Sequence, residues 1–229
     1  MKVGIIQSNY IPWRGYFDFI HDCDAFVFLD DVQYTRRDWR NRNKIKTLKG
    51  PRWITVPVQY APVDTPIDRI QIDYATGDWR RRHLGLFYMN YCRAPFYHDA
   101  MYLLESALDI KFGYLSLLNQ HLTTRICTYL GIATRLLDAR RFYCGDLRKT
   151  DRLLHILKQA GATSYLSGPA AQSYMEEQKL EDAGIKLVYK SYAYPMYPQQ
   201  HGEFNGNLSI LDLIANVGKD APKYIWGDK

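Results

Sequence analysis

The sequence has few cysteines and no long hydrophobic run, and both absences narrow the kinds of protein it can be. Its four cysteines are scattered over 229 residues, a spacing typical of neither a zinc site nor a disulfide framework. No stretch approaches the roughly 18 uninterrupted apolar residues of a membrane-spanning helix, and the N-terminus lacks the apolar region of a secretory signal. We therefore expect a cytoplasmic protein with reduced thiols and no membrane partner.

Recognisable catalytic and metal-binding motifs are also missing. The six histidines show no paired spacing of the kind that binds a metal, so we expect no metal site. The sequence contains no Walker loop and no G-x-S-x-G nucleophile motif. With 47% apolar and 24% charged residues, the composition is that of an ordinary globular protein. Any function must therefore be sought in clusters of polar side chains.

The alternation of short apolar runs with amphipathic segments predicts an α/β protein with a parallel, Rossmann-like sheet. Buried strands are expected over residues 2–7, 25–29, 132–137, 163–168 and 185–189. Residues 53–59 contain a proline and are expected to form an edge strand, if any. A helical pattern over residues 79–130, in which Pro95 ends the first of three helices, predicts a helical insertion within a single domain that spans residues 1–229.

Polar side chains follow the first two predicted strands. Gln7 and Asn9 come after the first strand, and Asp30 and Asp31 come after the second. Ligands of open parallel sheets bind outside the carboxyl ends of the strands. We therefore expect Asn9, Asp31 and Arg42 to surround one cavity for an anionic ligand. Because side chains alternate along a strand, one of the two aspartates is expected to face this cavity as a metal ligand or general base.

Basic side chains are concentrated just after the paired aspartates. The chain has a net charge of +6, and Arg40, Arg42 and Lys44 alternate with asparagines in a short run. Guanidinium forks suit phosphate or carboxylate, although a solvated surface loop is the alternative for such a run. A second run, residues 80–82, precedes His83, which is either a candidate base or a packed residue.

The turn after the first strand resembles the entry to the HUP class of nucleotide-binding α/β domains, as in pantothenate synthetases and cytidylyltransferases. In that class a proline-containing turn and a Gly-His pair hold nucleotide phosphates on a helix N-terminus. Pro12, Gly15 and Tyr16 occupy those places in this chain. The tyrosine departs from the pattern, and this departure counts against nucleotidyl transfer.

Several longer stretches together resemble the WbqC-like family of bacterial proteins. They are Q-S-N-Y-I-P-W-R-G-Y-F-D-F-I, D-D-V-Q-Y, W-R-N-R-N-K-I-K, W-I-T-V-P-V, W-R-R-R-H, Y-C-R-A-P-F, A-T-S-Y-L-S-G and F-N-G-N-L-S-I-L-D-L-I-A-N-V-G, within residues 7–218. The family is associated with gene clusters for surface polysaccharides, such as O-antigen and lipopolysaccharide, and for other secondary products. The resemblance implies a cytoplasmic transferase that acts on a nucleotide-linked amino sugar. N-aminoacylation, for instance glycyl transfer, is the implied reaction.

The strand ends and the resemblance together define a predicted site. The candidate catalytic residues are Asp31, His83 and Asp30. The candidate residues for binding the substrate or nucleotide are Gln7, Asn9, Tyr10, Pro12, Trp13, Gly15, Tyr16, Gln33, Arg40, Arg42, Asn43, Lys44, Tyr165, Gly168, Tyr197 and Gln199. A nucleotide-linked sugar is the expected partner, and either ATP or an aminoacyl-tRNA is the candidate source of the acyl group.

Two other functions remain open at this point. One is a HUP-type nucleotidyltransferase or adenylating enzyme, which the first turn favours. The other is a non-catalytic tRNA-binding, RNA-binding or assembly factor, which the basic charge and the lack of a complete catalytic motif favour.

Overall fold

The chain contains both strands and helices, and the computed structural model describes them over residues 1–227. The last two residues of the predicted 1–229 domain lie outside the described residues. The strands are β1 (Lys2–Ile6), β2 (Ala25–Phe28), β3 (Arg42–Thr47), β4 (Gly50–Thr55), β5 (Arg135–Asp138), β6 (Ser164–Ser167) and β7 (Lys186–Tyr189). The α-helices are α1 (Arg14–His21), α2 (Trp79–Tyr91), α3 (Tyr97–Leu108), α4 (Leu115–Leu130), α5 (Lys149–Gln159), α6 (Glu177–Asp182) and α7 (Ile210–Val217).

Five strands form one parallel sheet in the order β5-β2-β1-β6-β7. In the centre of the sheet, Val3 of β1 pairs with Ala25 of β2 on one side and with Tyr165 of β6 on the other. The chain builds the sheet outward from β1 in both directions, which is the doubly wound arrangement. The predicted α/β class with a Rossmann-like parallel sheet is confirmed.

Each face of the sheet contributes to a separate apolar core, because side chains alternate along a strand. Val3 and Val27 belong to the smaller core, together with Ile156 of α5 and Leu180 of α6. Phe26 belongs to the larger core, which also contains buried side chains of α1, α2, α3, α4 and α7. Burial on both faces explains why these strands are nearly continuous apolar runs in the sequence.

Gly4 allows α1 to pack directly on the central strand. A Cβ atom at this position would lie 2.4 Å from Phe19 Cε1 and 2.7 Å from Cys23 Sγ, which leaves no room for it. Phe19 is fully buried, so it has no room to move away. The glycine thereby sets the distance between β1 and α1, and with it the position of the loop that joins them.

Outside the main sheet, β3 and β4 form an antiparallel hairpin in which Lys44 pairs with Trp53. No strand is expected for the Arg-Asn-Lys run that becomes β3. The edge strand expected over residues 53–59 instead begins at Gly50 and ends at Thr55, before Pro57. The predicted helical pattern over residues 79–130 corresponds to α2, α3 and α4. Among the described residues, no helix is both long enough and apolar enough to cross a membrane.

Candidate functional site

A cavity of about 470 Å³ lies beside the loop that follows β1. It is lined by Asn9, Pro12, Trp13, Trp39, Asn43, Lys44 and Asn207, and we call it the indole cavity after its two tryptophans. The loop leaves the carboxyl end of the central parallel strand, which is where ligands of doubly wound sheets bind. Five of the lining residues belong to the site predicted from the sequence.

Asn43 of the hairpin holds the loop after β1 in place. Its Nδ2 atom donates hydrogen bonds to the carbonyl oxygens of Tyr10 (3.2 Å) and Ile11 (2.8 Å). Ile11 has a φ of 38°, a left-handed conformation that β-branched residues rarely adopt. Such strain persists where the surroundings impose it, and it is common at ligand sites. The amide nitrogen of Asn43 thus shapes the wall of the cavity.

The segment before α7 completes the wall. The backbone N–H of Ser209 donates to the carbonyl oxygen of Lys44 (2.9 Å), and that of Ile210 donates to the carbonyl oxygen of Pro12 (2.8 Å). These two bonds tie the hairpin and the loop after β1 to the start of α7. Three segments that are distant in the sequence therefore meet at the cavity.

The two indoles of the cavity have different surroundings. The Trp13 ring packs against the rings of Tyr192 and Tyr194, with centroids 5.3 and 5.8 Å away. The Trp39 ring is 42% exposed and lies 5.1 Å from the ring of Trp53. Trp13 is therefore a fixed part of the wall, whereas Trp39 is open to a ligand that arrives from solvent.

Positive charge lies close to the cavity. Lys44 lines it, and its ammonium group is 4.8 Å from the centre of the Trp53 ring. Arg40 donates a hydrogen bond to Asn9 Oδ1 and lies 3.7 Å from the carboxylate of Asp38. Burial lowers the pKa of Arg40, and the charge of Asp38 opposes this shift. Because Asn9 uses its Oδ1 to accept from Arg40, its NH₂ group is the part of the side chain left to donate to a ligand.

The resemblance of the first turn of α1 to a nucleotide-binding turn stays a prediction, and its residues contact groups of the protein itself. A Cβ atom on Gly15 would lie 2.3 Å from Cζ2 of Trp13, so the indole covers the open face of the glycine. The Tyr16 hydroxyl donates to the carbonyl oxygen of Gln7 (3.1 Å). Burial, followed by the charge of Asp30, raises the pKa of Tyr16. These residues serve as packing and hydrogen-bonding groups behind the cavity.

Asp30 is buried and accepts hydrogen bonds from the Ser8 backbone N–H and from Gln120 Nε2, both at 2.8 Å. Burial raises the pKa of Asp30, and both donors oppose this shift. The carboxylate thereby anchors the first residues of the loop after β1. Its catalytic role stays a prediction, and this geometry assigns it a positioning role.

Asp31 lies in a different cavity of about 530 Å³, which we call the Asp31 cavity. The Asp31 carboxylate forms an ion pair with Arg152 of α5. Gln33 also lines this cavity, and its side-chain NH₂ group donates to the carbonyl oxygen of Val63 (3.1 Å). Arg42 lines neither cavity and stacks its guanidinium 4.3 Å from the centre of the Trp53 ring. The expectation that Asn9, Asp31 and Arg42 share one cavity is therefore wrong.

His83 lies on α2, where its side chain is buried against the hairpin and lines a third cavity. As a neutral ring it donates from Nε2 to the carbonyl oxygen of Thr55 (3.1 Å) and accepts the Tyr10 hydroxyl at Nδ1 (2.9 Å). Burial lowers the pKa of His83 to about 4, the Thr55 carbonyl opposes this shift, and Arg82 adds to it. Burial also raises the pKa of Tyr10. With both ring nitrogens bonded within the protein, His83 joins two elements, and its role as a base stays a prediction.

Tyr197 and Gln199 belong to a buried polar cluster around Asp212 of α7. The Asp212 carboxylate accepts from the hydroxyls of Tyr91 (2.6 Å) and Tyr197 (2.7 Å) and from Gln199 Nε2 (2.8 Å). Gln199 Oε1 in turn accepts from the ammonium group of Lys46 on β3 (2.8 Å). The cluster joins α7, α2 and the hairpin, and so supports the cavity indirectly.

Tyr165 lies within β6, and Gly168 follows the carboxyl end of that strand. Tyr165 is buried, and burial raises its pKa to about 12, against a hydrogen bond with Ser167. Gly168 precedes the 3-10 turn formed by residues 169–173. Neither residue lines the indole cavity, so their predicted contacts with a ligand stay predictions.

Two lining residues, Trp39 and Asn207, were not among the site residues predicted from the sequence. Trp39 stands between Asp38 and Arg40 in the basic run, and an exposed aromatic residue among arginines was the signal that could have identified it. Asn207 lies in F-N-G-N, a stretch that carries the family resemblance. Among the described residues, no group of three or more His, Cys, Asp or Glu side chains could hold a metal ion.

The fold and the cavity define a doubly wound α/β protein with a candidate site for a polar ligand beyond its central strand. The chain belongs to the WbqC-like protein family, whose model matches residues 7–224. It is 45% identical over 227 residues to "Uncharacterized protein Rv1507c" of Mycobacterium tuberculosis (strain ATCC 25618 / H37Rv), an alignment that covers 98% of this chain and 97% of that protein. No solved structure matches the chain.

Proposed function

We propose that the chain is a transferase that binds a nucleotide-linked amino sugar in the indole cavity and acylates the amine of that sugar. The observation that carries this proposal is the presence of two indoles, the free NH₂ group of Asn9 and the ammonium group of Lys44 around one cavity. An indole face packs against the apolar face of a sugar ring or against a nucleobase. A few convergent polar groups then fix the orientation of the ligand.

Each part of such a ligand has a matching group in the cavity. The ammonium group of Lys44 attracts the diphosphate, and Trp39, being exposed, receives a flat ring from solvent. Asn9 and Asn207 offer amides to sugar hydroxyls, and the orientation of Asn9 is fixed by Arg40. Because Trp13 is packed from behind by two tyrosines, it forms a rigid surface for the second ring.

In the proposed reaction, the neutral amine of the sugar attacks the carbonyl carbon of an activated aminoacyl group, either an adenylate made from ATP or an aminoacyl-tRNA ester. A C–N bond forms, the C–O bond to the donor breaks, and the donor oxygen leaves with the electron pair. The amine proton passes to solvent, because Asp31 and His83 both lie outside the indole cavity. The reaction requires a neutral amine, so its rate is expected to rise with pH until the amine is fully deprotonated.

Isothermal titration calorimetry with a panel of UDP-, GDP- and dTDP-linked amino sugars tests the binding step, with the free nucleotides and the free sugars as references. We expect at least one conjugate to bind more tightly than either of its parts. Lys44→Met is expected to weaken that binding about tenfold, because a charge-assisted contact with phosphate is lost. Lys49→Met is the matched control, since Lys49 is an exposed lysine in the turn of the same hairpin.

Equal losses in the two lysine variants, or conjugates that bind no better than their nucleotides, would contradict the assignment of the cavity. The transfer step is tested separately by incubating the best-bound conjugate with amino acids and ATP, or with charged tRNA. Mass spectrometry should then detect an amide product. A conjugate that binds in the cavity but is acylated by neither donor would refute the transferase and leave only the binding site.

A further inference from the structure

The positive charge of the molecule is concentrated in the hairpin of β3 and β4 and in the segment just before it. Residues 36–52 contain eight basic side chains and one acidic side chain, a net charge of +7, whereas the entire chain has a net charge of +6. The single acid, Asp38, is 3.7 Å from Arg40 and accepts hydrogen bonds from Thr35 and from the backbone of Trp39. The rest of the chain has a net charge of only −1, so residues 36–52 carry the largest excess of positive charge with which this protein can attract anions.

Aromatic rings alternate with these cations. The ring of Trp53 has the guanidinium of Arg42 at 4.3 Å and the ammonium of Lys44 at 4.8 Å, and the Trp39 ring lies 5.1 Å away. Further along, Arg36 lies 5.3 Å from the centre of the Tyr60 ring. Cation–π contacts of this kind hold the charged groups beside the ring faces.

These three rings are exposed to solvent. Aromatic side chains that only pack in the core would be buried. Trp39 is 42% exposed, Trp53 is 38% exposed and Tyr60 is 87% exposed. Arg42 also donates to the carbonyl oxygen of Arg37. This bond connects the residues around Trp53 with the segment that contains Arg36. Arg52 lines a cavity together with Trp53. We call these residues together the basic hairpin surface; its members are Arg36, Arg37, Trp39, Arg42, Lys44, Arg52, Trp53 and Tyr60.

We propose that the basic hairpin surface binds single-stranded nucleic acid, with bases stacked on Trp53 and Trp39 and with phosphates paired to the arginines around them. Charge alone would fit any polyanion, but exposed rings between cations fit a strand whose bases are unpaired. A duplex keeps its bases stacked on one another and cannot present them to the indoles. The proposal concerns a second ligand and does not depend on the sugar ligand proposed for the indole cavity.

Fluorescence anisotropy of a labelled 12-nucleotide strand of mixed, non-pairing sequence tests the proposal, with RNA and DNA versions as separate arms. We expect Trp53→Ala to weaken binding about tenfold, in line with the loss of one stacked base. The double variant Arg36→Met, Arg52→Met should reduce the slope of log Kd against log salt concentration by about 1.4, because two phosphate contacts are lost. Tighter binding of the RNA strand than of the DNA strand would show that the surface distinguishes ribose from deoxyribose. Equal binding of the two strands would show that it does not.

Matched controls lie elsewhere on the protein. Tyr174→Ala removes a ring that is 63% exposed, and the double variant Arg93→Met, Lys158→Met removes two exposed cations outside the hairpin. Both controls should bind the strand as the unaltered protein does. Circular dichroism and the Tm of each variant show whether it is folded, and the arginine double variant keeps the test valid if Trp53→Ala does not fold.

Three results would each overturn the proposal. The first is the absence of binding at low salt. The second is a duplex of the same sequence that binds as tightly as the single strand. The third is a combined result in which dextran sulfate competes with the single strand equally well per charge and the Trp53→Ala variant binds the strand normally. The surface would then be a site for any polyanion, without base stacking. Since Arg36 and Arg52 lie outside the indole cavity, sugar conjugates should bind their double variant normally, which separates this proposal from the proposed transferase.

Discussion

The polar residues predicted for the site divide into two groups by what their side chains contact. Asn9 and Lys44 line the indole cavity and can reach a ligand. Asp30, Asn43 and His83 form hydrogen bonds to other groups of the protein, and these bonds hold the loop after β1 and the hairpin in place. Buried polar groups of the second kind are costly to remove because their partners are left unsatisfied.

His83 should make the stability of the protein depend on pH. Its pKa is lowered from 6.5 to about 4 in the folded chain, chiefly by burial. Between these values the unfolded chain binds a proton that the folded chain does not, so the free energy of unfolding falls as the pH falls. A shift of this size corresponds to roughly 3 kcal/mol. Above pH 6.5 both states are neutral and the effect is absent.

Urea unfolding at pH 7 and pH 4.5 measures this contribution. Relative to His83→Gln, the unaltered protein is expected to lose roughly 2 kcal/mol more between the two pH values, since glutamine does not titrate. Asp30 and Asp212, whose pKa values are raised by burial, contribute with the opposite sign in both proteins, and the comparison cancels them. Parallel pH profiles in the two proteins would contradict the assignment to His83.

At the scale of elements, α7 and the hairpin hold the cavity together. Asp212 is central to this contact because three donors, on Tyr91, Tyr197 and Gln199, converge on its carboxylate. Asp212→Ala should lower the free energy of unfolding by about 3 kcal/mol, because buried donors lose their acceptor. Asp220→Ala is the control: Asp220 is an exposed aspartate paired with Lys223, and its loss should cost less than about 1 kcal/mol.

Denaturant unfolding at neutral pH gives both values. Equal effects for the two aspartates would show that the cluster does not stabilise the contact between α7 and the hairpin. Asp212→Asn is an informative third variant because asparagine keeps one acceptor oxygen, so its stability should lie between those of the unaltered protein and Asp212→Ala.

The elements that could be predicted from the sequence are those whose pattern is local. The strands of the sheet are buried on both faces and are therefore continuous apolar runs, and α5 is plainly amphipathic. By contrast, β3 carries Arg42 and Lys44 on its outer side and so lacks an apolar alternation. Every residue of α7 is buried, including Asp212 and Asn216 on one face, so the helix has no solvent-exposed polar face. Both elements are fixed by tertiary packing, which a single sequence does not reveal.

At the scale of the whole molecule, the sheet order explains which part of the site was predictable. The loop after the central strand was expected to bind the ligand, and the structure places the indole cavity beside it. Trp39 and Asn207 reach that cavity only because the hairpin and the segment before α7 fold back onto the loop. Asp31, although next to Asp30, lines the Asp31 cavity and pairs with Arg152, whereas Asp30 is buried and accepts from Ser8 and Gln120.

The basic hairpin surface borders the indole cavity, because Trp39 and Lys44 belong to both. A strand bound to the surface would place its end near the sugar ligand. Because the two proposed ligands share these side chains, a strand that covers Trp39 is expected to compete with the sugar ligand, whereas a strand stacked only on Trp53 is not.

The most direct test of the central claim is a crystal structure with the tightest-binding nucleotide-linked amino sugar. The ligand should occupy the indole cavity, with a ring against Trp13 or Trp39 and a phosphate oxygen within hydrogen-bonding distance of Lys44 Nζ. A ligand found instead in the Asp31 cavity, or over the first turn of α1, would contradict the account.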